Sequence, residues 1–236
     1  MKRSLSISLC IVGMLSANVF AHKLWVRPSQ TQFSGNDAWA TFDTCASNDL
    51  FYFNHVPLPL NNLSIVGPDG QKCEAANQAT GKYRSVFDLE LKHDGTYRVA
   101  VITGFIFANW VENGETKRWR GIQDNFSRDV PQNAENLKVM ESMGRIETFV
   151  TKNAPNTTAF APIGKGMELI PVTHPNDLIV SEKATFRILV DGQPRPGLDV
   201  SVIRGETRYR NNLDESTLTT NAAGEFTVSW PEPGMY

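Results

Sequence analysis

Four histidines are the residues best suited to chemistry in this chain, and one of them, His22, directly follows Val19-Phe20-Ala21. That triplet fits the small-x-Ala pattern at which a signal peptidase cuts. Cleavage there makes His22 the first residue, so its α-amine and its imidazole Nδ1 can close one chelate ring on a copper, nickel or cobalt ion. A histidine in third place would complete a square clip from the backbone, but that place is Leu24, so a further nitrogen has to come from a distant residue. The candidates are His55, in the run Phe51 to Pro57, and His174, in Pro171 to Pro175. His93 precedes the Asp94-Gly95 turn and is expected to be exposed on its own. The metal reading therefore names His22, His55 and His174, against the plain alternative of four scattered surface histidines. No His-x-x-x-His or His-Glu-x-x-His spacing supports a zinc hydrolase. The absence of a Gly-x-Ser-x-Gly elbow, a phosphate loop or a dinucleotide fingerprint removes the common hydrolase, kinase and dehydrogenase readings.

The segment before His22 has the parts of a secretory signal: Lys2 and Arg3, then an apolar run from Leu5 to Leu15. That run is too short to span a bilayer core, which takes roughly 20 apolar residues, and nothing like it follows. Residues 1–21 are thus expected to be a signal peptide, and the processed chain an exported, soluble one with no membrane span. Losing Lys2 and Arg3 moves the net charge from −2 to −4. A mildly acidic chain is a poor nucleic-acid binder, since it offers little to replace phosphate counterions. Two cysteines remain, Cys45 and Cys73, and in an oxidising compartment such a pair is expected to form a disulfide, contributing about 3–4 kcal/mol by loop-closure entropy.

The rest of the chain must position these groups, and it reads as all-β. Segments such as "TFRILV", "EFTVSW" and "TYRVAVI" are separated by Gly, Asn and Asp. Asn113-Gly114 and Asp191-Gly192 supply the positive-φ pairs that tight hairpins need. One stretch, "PQNAENLKVMESMGRIETF", has a helical period through Leu137, Met140, Glu141 and Gly144, with Pro131 suited to a first turn. Two Gly-x-Tyr turns, at Gly95-Thr96-Tyr97 and Gly234-Met235-Tyr236, resemble the tyrosine corners of immunoglobulin-like sandwiches. The expected organisation is two β-sandwich modules in tandem with one short helix in or after the first. The first module covers 22–165 and the second, immunoglobulin-like, 166–236, with the Pro- and Gly-rich junction near 162–172. A Gly-x-Tyr turn is expected to lead into further strands, so the second module is expected to continue past Tyr236.

Other clusters have weaker chemistry. Trp25, Trp39, Phe42, Phe51, Tyr52 and Phe53 suit a sandwich core better than a sugar-stacking platform. Met140 and Met143 could hold Cu(I) but also fill cores. Arg118-Trp119-Arg120 could meet an anionic ligand or simply face solvent.

The phrases His22-Lys23-Leu24-Trp25-Val26, "GKYRSVFDLELKHDGTYRVAV", "GMELIPVTHPNDLIVSEKATFRILVDGQPRPGLDVSV" and "TTNAAGEFTVSWPEPGMY" together resemble the bacterial domain of unknown function 4198 family, from His22 to Tyr236. The resemblance implies an exported protein of the Gram-negative periplasm. Because many members are labelled as cobalt or nickel uptake components, it also implies metal handling beside an inner- or outer-membrane uptake system. The leading function is therefore binding of a transition metal, or a metal complex, and assistance in its uptake. A non-metal, structural or ligand-binding two-sandwich module, and a copper oxidase built on a histidine brace, are the alternatives.

Overall fold

The computed structural model describes residues 22–236; the expected signal peptide, 1–21, lies outside the described residues. The first part of the chain forms strands β1 (Lys23–Pro28), β2 (Gln32–Phe33), β3 (Trp39–Ser47), β4 (Val56–Pro57), β5 (Leu63–Val66), β6 (Ala76–Thr80), β7 (Ser85–Glu90), β8 (Gly95–Glu112) and β9 (Glu115–Gly121). A short helix α1 (Gln123–Asp129) and strand β10 (Glu135–Lys152) follow. One sheet runs β1-β3-β7-β6 with β4 added to the end of β3, and the other runs β2-β10-β8-β5 with β9 added to β8. Apart from the parallel contact of β2 with β10, the ladders of both sheets are antiparallel.

Alternation in the strands builds the core between these sheets. Val26, Ala40, Phe42, Phe87 and Leu89 from one sheet meet Ile65, Tyr97, Val99 and Val150 from the other. Phe42 and Phe87 stack with centroids 4.9 Å apart. A second cluster of Ala46, Leu58 and Val101 closes one end of the sandwich. Beyond that end β8, β9 and the first half of β10 continue as a three-stranded arm.

The remaining strands are β11 (Met167–Pro171), β12 (Lys183–Val190), β13 (Gln193–Pro194), β14 (Asp199–Val202), β15 (Ser216–Thr219) and β16 (Glu225–Ser229). β12 is flanked by β11 on one side and by β13 and β16 on the other, and β14 pairs with β15. Ala184, Phe186, Phe226 and Val228 form its core, with Val200, Val202 and Leu218 against them. Among the described residues the fold is all-β, a set of mainly antiparallel sheets with one short α-helix, as the strand rhythm led us to expect.

Local chemistry accounts for the turns. Asn113 and Gly114 take φ of 53° and 78°, and Asp191 and Gly192 take 50° and 75°. The Tyr97 hydroxyl donates to the His93 carbonyl and accepts from the His93 N–H, each at 2.9 Å, while the Tyr236 hydroxyl donates to Glu232 O at 2.9 Å. Both Gly-x-Tyr turns thus tie back to the corner four residues earlier. Gly95 has φ +132°, and a Cβ there would lie 2.4 Å from Pro68 Cβ, so only glycine fits.

The expected helix over 131–149 is not formed. Residues 135–152 are a strand paired with β8 along its length, and the helix lies earlier, at Gln123–Asp129. The helical period of Leu137, Met140, Glu141 and Gly144 loses to the ladder because β8 offers an 18-residue partner, and long-range pairing is invisible to a local period. Among the described residues no helix is long and apolar enough to cross a membrane.

Candidate metal centre

Strand β3 places the two histidines. β1 runs along one side of it, with Leu24 opposite Ala46, and β4 adds to the other side, with Val56 opposite the same Ala46. His22 immediately precedes β1 and His55 immediately precedes β4, so each enters the end of the sheet beside β3. Their rings meet edge to face, centroids 3.7 Å apart at an interplanar angle of 74°. Both residues are exposed, so the pair is open to solvent. His93 is exposed in its turn, away from this pair.

The loop from 48 to 55 that carries His55 is held by its own polar groups and aromatics. Trp25 Nε1 donates to Ser47 Oγ at 2.8 Å, and Ser47 Oγ donates to Asp49 O at 2.7 Å. Asn48 N donates to Asn54 Oδ1 at 2.9 Å, and Asn54 Nδ2 to Asp49 Oδ2 at 2.8 Å. Phe51 and Phe53 pack on Trp25 at 5.7 and 5.4 Å, and the Arg84 guanidinium lies 4.7 Å from the Phe53 ring. Phe51 takes φ 65°, a left-handed conformation costing about 1–2 kcal/mol for a residue with a Cβ, which this packing offsets. Phe51 and Phe53 therefore anchor the loop on Trp25, while Tyr52 faces Tyr209 at 6.3 Å and the Arg208 guanidinium at 4.9 Å. Aromatic content alone suits a sandwich interior in general; the polar residues Asn48, Asp49 and Asn54 that bracket the aromatic run are the sequence signal of a self-bonded turn.

His174 is used elsewhere. Its Nδ1 accepts from Asn176 N at 3.0 Å, which puts the ring proton on Nε2, and Nε2 lies 3.1 Å from Asn156 O and 3.0 Å from Thr96 Oγ1. The ring packs on Phe160 at 5.2 Å. Both nitrogens thus serve the contact between the first sandwich and the segment before β12, and the structure brings His22 and His55 together without His174. Met140 and Met143 fall on opposite faces of the arm, since Met140 is in register with Phe107 and Met143 with Gly104.

The expected Cys45–Cys73 disulfide is absent; both thiols are free. Cys45 alternates with the buried Thr44 and Ala46 and so sits on the outer face of β3, under the His55 loop, with Sγ 3.0 Å from Tyr83 O and 3.7 Å from Tyr52 O. Cys73 packs instead at the margin of the inter-sheet core, its N–H bonded to Ile65 O. The period of two along β3 sends the two sulfurs to different sides of a sheet, which no bridge can cross. Burial pushes both thiols up in pKa, aided at Cys73 by Asp69.

Among the described residues no three His, Cys, Asp or Glu side chains converge. What converges is two imidazoles at the chain position where the α-amine would lie after cleavage before His22. Binding one ion between them needs rotation about exposed side-chain bonds, since metal–nitrogen distances are about 2.0–2.1 Å.

Among curated proteins nothing matches this chain. Residues 19–236 match the family described as "Domain of unknown function (DUF4198)", which spans nearly the whole sequence, and the chain belongs to that family.

Proposed function

We propose that the protein is exported to the periplasm, is cut before His22, and binds one copper, nickel or cobalt ion through the new α-amine and the imidazoles of His22 and His55, assisting uptake of that metal by a system in the inner or outer membrane. The observation that carries this reading is the 3.7 Å approach of the two rings. Two histidines 33 positions apart in sequence are delivered to the same end of β3 by two separate strands, one of them through a loop with its own hydrogen bonds. With both backbones already fixed by the sheet and the bonded loop, only side-chain rotations are lost on binding, and three nitrogens suit metals that favour imidazole. Solvent exposure leaves coordination positions through which the ion passes to a stronger ligand set. The same openness supports a second reading, copper held by a histidine brace and turning over an oxidant.

Calorimetry in a non-chelating buffer tests the site. Protein starting at His22 should take up one Cu(II) or Ni(II) ion, whereas a form with one extra residue before His22, and the His55→Ala variant, should each bind at least about tenfold more weakly, a loss of ~1.4 kcal/mol or more. Identical titrations for all three forms would remove the site and favour a module that binds no metal. Peroxide consumption by the copper-loaded protein, lost in His55→Ala, would favour the oxidase reading.

A further inference from the structure

The arm carries a second cluster that the metal reading does not use. Lys138 on β10 and Arg118 on β9 are each in register with Asn109 of β8, so the three side chains stand in one row on one face. The next row is Met140, Phe107 and Arg120, with the Arg120 guanidinium 4.0 Å from the Phe105 ring. Most arginines of the fold have carboxylate partners, as Arg27 and Arg84 have Asp43 and Arg187 has Glu225. Among the described residues Arg118, Arg120 and Lys138 have none, and neither Asn109, Arg118 nor Lys138 spends its side chain on an internal hydrogen bond. Asn109, Thr116, Arg118, Asn136 and Lys138 line a hollow of about 290 Å³ with no carboxylate in its walls. Acids adjoin the lining in sequence at Glu112, Glu115 and Glu135; Glu115 accepts from Lys117 Nζ at 2.8 Å and Glu135 from Asn136 Nδ2 at 3.4 Å.

We propose that this hollow is a binding site for a small di- or tricarboxylate anion. Lys138, Asn109 and Arg118 are all exposed, so the two cations of this row stand free to meet an anion from solvent, at a strength that falls with added salt. Their Cα atoms are two inter-strand steps apart, about 9–10 Å, so opposite walls address two anionic groups rather than one. Arg118 presents a planar fork that matches a carboxylate in two parallel bonds, Lys138 supplies a point charge, and Asn109 adds amide donors from the floor. The volume is near the lower end for ligand sites, which fits a small organic acid. The site stands independently of the histidine pair.

Citrate, succinate and inorganic phosphate, titrated into metal-free protein at low ionic strength, test the proposal by calorimetry and by NMR of the Asn109 amide and Arg118 Nε–H. Citrate should bind one to one and move both signals. Arg118→Ala and Lys138→Ala should each weaken it by about tenfold, roughly the 1.4 kcal/mol of one charge-assisted contact. Arg118→Lys, which keeps the charge and the fold, should still weaken citrate because the fork is gone. Lys183→Ala, on the other module, should leave binding unchanged. Phosphate binding as tight as citrate would overturn the two-point site, and citrate affinity unaltered in the Arg118 and Lys138 variants would place the anion elsewhere.

Discussion

Arg98 grips Glu147 across β8 and β10: its Nε lies 2.9 Å from one carboxylate oxygen and its Nη2 3.2 Å from the other, with side chains 1% and 6% exposed. Arg98 Nη2 also donates to Leu169 O at 3.3 Å, and Glu168 stands 3.8 Å from Nη1 while accepting from Ile163 N and Gly164 N at 2.7 Å each. One guanidinium therefore joins the first sandwich to β11.

Arg98→Met removes that join and leaves Glu147 and Glu168 buried with less compensation. Breaking one side of a buried pair costs about 3–5 kcal/mol. Urea unfolding should show a loss of that order; a change within about 0.5 kcal/mol would mean that Arg145, 2.5 Å from Glu147, carries the charge balance alone.

His174→Ala separates a structural histidine from a ligand. Its two nitrogens bond to Asn176, Asn156 and Thr96 and its ring packs on Phe160, so the variant should lose about 1–3 kcal/mol of stability through the lost hydrogen bonds and packing. Copper or nickel affinity should stay within about twofold of the parent, below the tenfold scale of a lost ligand. A tenfold loss of affinity would restore His174 to the site.

Much of this was legible from local chemistry, and the failures share a cause. The hairpins at Asn113-Gly114 and Asp191-Gly192 and the corners at Tyr97 and Tyr236 are set by a few adjacent residues, so they could be read directly. The strand at Glu135–Lys152 could not, because its first half is exposed on both faces and shows no alternation; only the distant ladder with β8 shapes it. The cysteines misled for a related reason: their count says nothing of which face of β3 holds Cys45. At the candidate site, donor chemistry singled out His22 and His55, but their meeting depends on β1 and β4 flanking β3, and the engagement of His174 depends on Thr96 and Asn156, both far away in sequence.

Free thiols make a direct chemical prediction. Cys45 is fully buried and its thiol is pushed up by burial, so in native protein it should resist a thiol reagent at pH 8, while the half-buried Cys73 reacts slowly. Both should label on unfolding without reductant. A protein purified from the periplasm two mass units lighter and unlabelled in denaturant would show that the bridge forms after all.

Asp88 gives the fold a pH-dependent element. Its oxygens accept from Thr41 Oγ1 at 2.6 Å and Asn77 Nδ2 at 2.8 Å, and these bonds, the Thr41 one foremost, hold the carboxyl below its usual range. A group lowered on folding stabilises the native state fully above its unfolded value of about 3.9, and that contribution disappears as pH falls through the lower folded value. Asp88→Asn keeps the shape but removes the charge that strengthens both bonds. Its melting temperature should therefore fall below the parent's by about 2–4 °C near pH 7, the shift that ~1 kcal/mol makes in a chain of this size. The gap should narrow as pH drops below about 4 and the parent's carboxyl begins to protonate on passing through its lowered folded value. A gap of constant width across that range would mean that the substitution acts through packing at the β3–β7 ladder, where Asp88 stands opposite Thr41, and not through the charge.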